Sequence, residues 1–334
     1  MVKFTCLAFA VLSGLLATPA FAQDAPVLKI YTYDGFAAEW GPGPGLKAGF
    51  EATCGCTVEW IAADSSIGTL RRVQLEGATT EADLIVGLDT SIAGEARATG
   101  LFAEHELPLS DLALPTAWTD TTFVPFDYAH FAFVYDTDTV PTPPKSFKDL
   151  IALPADFKIA IQDPRSATPG LGLVLWIKAA YGDRAAEIWA GLKPHILTVT
   201  REWSESYNLF LTGEADMALS YTTSPAYHIV SEHDDTIHAA LFEEGHYAQV
   251  EVAGMLKSSR HQALARQFLA YLASTDAQKL IPTTNWMLPV VDLGTALDPT
   301  FATLPQPSKT LQLGDEDIAA HSGEWIDEML KAIQ

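Results

Sequence analysis

The chain has 334 residues, with 20 Lys+Arg against 42 Asp+Glu, a formal net charge of -22 and 48% hydrophobic residues. Such acidity disfavours nucleic acid and anionic membrane as partners and suits either plain solubility or a cationic ligand. The length allows two domains, and past the N-terminus no apolar run approaches the roughly 20 residues that a spanning helix needs.

Lys3, the apolar run Phe4 to Leu16 and the small-x-small pattern Ala20-Phe21-Ala22 predict a secretory signal peptide over residues 1–22. The mature protein is then expected in a bacterial periplasm, without the lysine of the leader: -22 less the one positive charge of Lys3 gives -23. Cys6 leaves with the same segment, so Cys54 and Cys56 remain, in the run Thr-Cys-Gly-Cys-Thr. An oxidising compartment favours a bridge between them, with two inert thiols as the alternative; a metal site would need more ligands than the pair offers.

Strand-like and helical stretches then alternate. The run 27–33 precedes a helix near 46–51, the strand 57–63 a helix near 67–76, and the strand 82–88 a helix near 92–99. A strand-rich segment covers 121–136, after which Pro141, Pro143 and Pro144 break the chain. A second series follows: strand 158–162, helix 169–181, strand 196–200, helix 205–211, strand 215–221 and a helix opening at Pro225. The strand 246–256 leads into a helix over 261–273, and a helical pattern over 316–333 closes the chain. This alternation predicts α/β architecture with mainly parallel sheets. Two such units with two strand-like passages between them predict two lobes, 23–125 plus 253–334 and 126–252, with a ligand cleft between.

Three strand-to-helix turns are rich in hydroxyls. Asp64-Ser65-Ser66 precedes the second helix, Ala167-Thr168-Pro169 opens another, and Tyr221-Thr222-Thr223-Ser224-Pro225 opens a third. Ser224 and Thr168 each read as an N-cap, with the following proline as first helical residue. Capping accounts for each alone. Three of them at the carboxyl edge of the strands, where α/β proteins bind ligands, would make an anion cradle from helix N-termini without a lysine. Tyr33, Trp40, Trp203, Tyr221, Tyr227 and Trp286 stand near those turns, and aromatic faces suit a planar heterocycle or a cation. Asp34 and Asp89 are candidate cation partners, turn capping being the plainer account of each. Trp40-Gly-Pro-Gly-Pro-Gly45 lacks phosphate-loop spacing, and no HExxH or GxSxG motif occurs, so enzymatic chemistry has little direct support.

The segments YTYDGFAAEWGPGP (31–44), FVPFDY (123–128), QDPRSATPGLGL (162–173), WSESYNLFL (203–211), LSYTTSPAYHI (219–229), EGHYAQVEVA (244–253) and PTTNWMLPV (282–290) resemble the bacterial periplasmic thiamine-binding proteins. The similarity runs in order over nearly all of the mature chain. It implies a type II periplasmic binding protein fold, two α/β lobes joined by two crossing strands, and a receptor that is not an enzyme and holds no cofactor. The implied ligands are thiamine, thiamine monophosphate and thiamine pyrophosphate, and the implied partner is an inner-membrane ABC permease with its ATPase; a monomer is expected. Phosphate-contacting turns carry over to Ser65, Ser66, Ala167, Thr168 and Tyr221–Ser224. Trp203 carries over as a further ligand contact, and Tyr33, Trp40, Tyr227 and Trp286 as the aromatic surroundings. Family members can carry Asp-Gly at 65–66 and Ser at 167, which puts a side-chain contact at Ala167 in doubt. The rivals are a thiaminase-like enzyme on the same fold, which would need a cysteine nucleophile, and a receptor for ferric ion or a polyamine.

Overall fold

The computed structural model describes residues 1–2 and 25–334; the rest of the expected signal peptide lies outside them. The strands are β1 (Val27–Tyr33), β2 (Thr57–Ala63), β3 (Leu84–Asp89), β4 (Phe123–Asp136), β5 (Ile159–Gln162), β6 (Ile196–Thr200), β7 (Met217–Tyr221), β8 (Ile237–Ala239), β9 (His246–Met255), β10 (Leu288–Pro289) and β11 (Thr310–Leu311). Their main path runs β2-β1-β3-β9-β4-β7-β5-β6, with β8 and β10 on β4 and β11 on β9.

Two parallel units sit at the ends of that path: β1 pairs β2 and β3, while β5 pairs β6 and β7. The centre is antiparallel, which departs from a purely parallel reading, because β4 and β9 run against each other and against β3 and β7. Fourteen residues long, β4 serves both halves: Phe123–His130 pairs with β9 and Phe131–Tyr135 with β7. These two strands are the crossing passages. Every residue of β3 and β9 is buried, as expected for strands covered on both faces by helices.

The apolar core follows the same plan. One cluster joins Leu70, Val73, Ile85 and Leu88 of the first unit to Phe133, Trp176 and Met217 of the second. Another, with Ile30, Phe36, Phe50, Phe126 and Phe268, fills the opposite face of the first unit. The last helix, Asp315–Ile333, touches both units: Arg97 lies 3.4 Å from Asp315, and the Lys178 ammonium stands 5.7 Å from the Trp325 ring centre. Cys54 and Cys56 are joined by a disulfide around Gly55, whose φ of 62° closes the helix Pro42–Cys54.

Candidate functional site

Pairing across the central strands sets Asp89 of β3 opposite Glu251 of β9, and Glu251 opposite Asp127 of β4. Directly opposed residues share a face, so three carboxylates form one row, an arrangement that costs stability unless something answers it. Two bulges create the row. Register shifts between Val86 and Leu88 and between Pro125 and Asp127, and each inserted residue turns the following side chains to the other face. The first inserted residue, Gly87, has φ 93°, and a Cβ there would collide with the ring of Tyr33.

Neutral donors hold the row. Tyr33 Oη donates to Glu251 Oε2 at 3.1 Å, while Asn285 Nδ2 donates to Asp127 Oδ2 at 2.6 Å and to Glu251 Oε2 at 3.0 Å. Asp89 accepts from Ser91 N at 2.9 Å and from Gln249 Nε2, and the latter also reaches Thr168 Oγ1 at 3.4 Å. Two buried acceptors, Asp127 Oδ1 and Gln249 Oε1, have no hydrogen-bond partner. Among the described residues no lysine or arginine forms an ion pair with Asp89, Asp127 or Glu251.

Asp127 is 0% exposed, and burial pushes its carboxyl up to about 7 against the bonds from Asn285 and Glu251. Glu251, 6% exposed, is driven well above the usual carboxylate range by burial and then by the charges of Asp127 and Asp89. Asp89 is also raised by burial, opposed by the bonds from Ser91 and Gln249. The Tyr33 and Tyr221 hydroxyls are raised by burial and then by Glu251. Burial thus shifts the whole row toward its protonated forms, and among the described residues it has no lysine or arginine partner.

At the head of the helix Trp203–Leu211, Trp203 stacks on Tyr207 with ring centres 4.7 Å apart and donates from Nε1 to Ser220 Oγ at 3.0 Å. Ser220 and Ser224 share a hydroxyl–hydroxyl bond of 2.7 Å, and Tyr221 stacks on Phe131 at 5.3 Å. Tyr227 meets Trp286 edge to face at 5.3 Å, with Trp286 at φ 57°. Trp40 is 66% exposed and flanks Gly35 next to Tyr33. Thr222 and Thr223 are buried; Thr222 N donates to His130 O at 2.9 Å, and Thr223 Oγ1 has no partner.

Of the three hydroxyl-rich turns, only one is capped by a side chain: Ser65 Oγ accepts from Gly68 N at 3.0 Å at the head of the helix Ser66–Glu76. Ser224 is not a cap. Its backbone is already helical (φ -54°, ψ -35°), because the chain begins to turn at Tyr221, whose carbonyl accepts from Ser224 N at 3.1 Å. The Ser224 hydroxyl instead accepts from Tyr221 N at 3.2 Å, and the helix Pro225–Tyr227 is a single turn of three residues. Thr168 is the first helical residue rather than the cap, which falls on Ala167; the loop tightens there, as Ala167 N donates back to Asp163 O at 2.9 Å.

Asp64, just after β2, forms an ion pair with Arg201, just after β6, and so links the two α/β units. Next to it Glu202 is pushed up to about 7 by burial, with Arg201 opposing and Glu205 and Asp34 adding to the rise; its Oε1 has no partner. The sequence reading named Asp89 and Asp34 but missed Asp127, Glu251, Gln249, Asn285 and Glu202. The signal was available in part, since FVPFDY and AQVEVA each set a carboxylate inside an otherwise apolar strand, where one is rare without a partner.

A family model for bacterial extracellular solute-binding proteins matches residues 31–279. The chain is 46% identical over 319 residues to the thiamine-binding periplasmic protein of Salmonella typhimurium strain LT2, covering 96% of each. Among solved structures it is similar to a periplasmic thiamin binding protein, with a TM-score of 0.90 and 45% identity, covering 95% of this chain and 99% of that one. It also shares its fold with the apo ferric ion-binding protein A of Pasteurella haemolytica, with a TM-score of 0.76 and 17% identity, covering 92% of this chain and 98% of that one.

Proposed function

The chain belongs to the bacterial extracellular solute-binding proteins, in the branch that contains the thiamine-binding periplasmic proteins, and from that premise we propose that it is a periplasmic thiamine receptor. It captures thiamine or its phosphate esters in a cleft between two lobes and passes the ligand to an ABC permease driven by its ATPase. The relatives are named as binding proteins, and the chain is read as a receptor, not an enzyme. One observation carries the ligand assignment from the molecule itself: a buried row of three carboxylates, beside Tyr33 and Tyr221, has no cationic side chain among the described residues to answer it. Thiamine brings a permanent positive charge on a flat heterocycle, which suits both the row and the aromatic faces.

The lobes in this reading are 23–125 plus 253–334 and 126–252, hinging in β4 near Phe123–Asp127 and in β9 near Val250–Ala253. The ester phosphates would meet the turns at Ser65–Ser66, Ala167–Thr168 and Tyr221–Ser224, where Ser65 Oγ accepts from Gly68 N and keeps its proton to donate and Thr223 Oγ1 is buried without a partner among the described residues, whereas the amides of Ala167, Tyr221, Thr222 and Ser224 are already bonded. Tyr33, Trp40, Tyr227 and Trp286 enclose the rings, and the receptor acts as a monomer. Calorimetry with thiamine and its two phosphates tests the reading. Trp203→Ala is expected to weaken thiamine at least tenfold, and a folded wild-type protein that binds none of the three would refute it.

A further inference from the structure

Resting on the thiamine-receptor reading, we propose that the row centred on Glu251 holds one proton in the empty receptor and gives it up to solvent when the ligand's cationic ring takes its place. The site would thus recognise the charge of the ring rather than its shape alone.

The geometry supports an exchange. Glu251 stands between Asp89 and Asp127 at one register position, so any positive charge placed over it meets all three carboxylates. Tyr33 and Asn285 together supply Glu251 and Asp127 with neutral donors only, and among the described residues nothing basic closes the row. Asp127 Oδ1 is fully buried with no partner. Gln249, itself 3% exposed and anchored to Asp89, likewise leaves Oε1 unpaired in the same place. Unsatisfied acceptors in a buried site are costly and point to a missing donor or cation. The titratable groups facing the pair are Asp89 from β3, Tyr33 from β1 and Tyr221 from β7, and all of them are shifted toward their protonated forms. With a carboxyl near 7 that must ionise to receive the cation, affinity should rise about tenfold between pH 6 and pH 8.

The test is calorimetry on the full mature chain at pH 6, where a carboxyl near 7 is still about nine-tenths protonated, in two buffers of different ionisation enthalpy. Unphosphorylated thiamine is the ligand, because a phosphate monoester itself titrates near 6. The expected result is release of about one proton per thiamine bound, and at least tenfold weaker binding of a neutral thiophene isostere. Glu251→Gln should abolish the release and narrow the gap in affinity between thiamine and the isostere, with Asp89 and Asp127 left to face the cation. Should that variant fail to fold, Asp127→Asn is expected to reduce the proton release in the same assay. If thiamine binds tightly with no proton released, and the isostere binds equally well, the exchange is refuted while the receptor assignment stands. If neither compound binds the folded wild type, both fall.

Discussion

Asp127→Asn isolates the cost of the carboxylate row in the empty protein. A carboxyl raised from 3.8 to about 7 favours the protonated form in the folded state. As pH rises past the ordinary carboxylate range, the unfolded chain ionises while the folded one does not, so this group's contribution to stability falls until pH passes about 7. The full displacement corresponds to about 4 kcal/mol, and structural relaxation with water entry reduces what is expressed to on the order of 2 kcal/mol. Asparagine keeps the shape and can still accept from Asn285, but carries no charge. The variant should therefore match the wild type near pH 3.5, below the unfolded value, and melt about 3 °C higher at pH 8. Scanning calorimetry of ligand-free protein across that range measures the difference. Equal destabilisation of the variant at both pH values would refute the reasoning, since it would mean that Asp127 serves packing and hydrogen bonding rather than holding an unanswered charge.

Two further outcomes follow from local geometry. Gly87→Ala puts a Cβ into the Tyr33 ring at a backbone position with φ 93°, so a loss of about 2–4 kcal/mol in denaturant unfolding is expected, together with weaker ligand binding as Tyr33 is pushed off Glu251. Arg201→Ala removes the pair with Asp64 that links the two α/β units; both side chains are 61% exposed, so affinity should fall less than about fivefold at low salt, and the difference should vanish near 1 M salt.

Much of the architecture was legible along the chain. The apolar strand-like runs at 27–33, 57–63 and 215–221, the helical stretches between them and the proline break after 140 give two α/β units, because each element's pattern is local and agrees with its neighbours. The two crossing strands were legible as well, from the length and apolarity of 121–136 and 246–256. Helix entries were less so: Ser224-Pro225 carries the composition of a cap, yet the turn begins at Tyr221, and the hydroxyl spends its bonds on Ser220 and the Tyr221 amide. Propensity names the residue that could cap; the preceding hydrogen bonds decide where the turn starts.

The aromatic residues and the hydroxyl turns were readable as types of residue near the right strand ends. That Asp89, Glu251 and Asp127, at positions up to 162 residues apart along the chain (251 less 89), stand in one row was not. A single-residue bulge reverses the face of every side chain that follows it; Gly87 and Pro125 inside their strands are compatible with bulges, but neither says which distant strand is paired or in what register. Sequence determined which strands exist and that Asp89, Asp127 and Glu251 lie in apolar ones; only the pairing of distant strands, fixed by how two bulges fit against β9, brought those acids together with no lysine or arginine among the described residues to pair them.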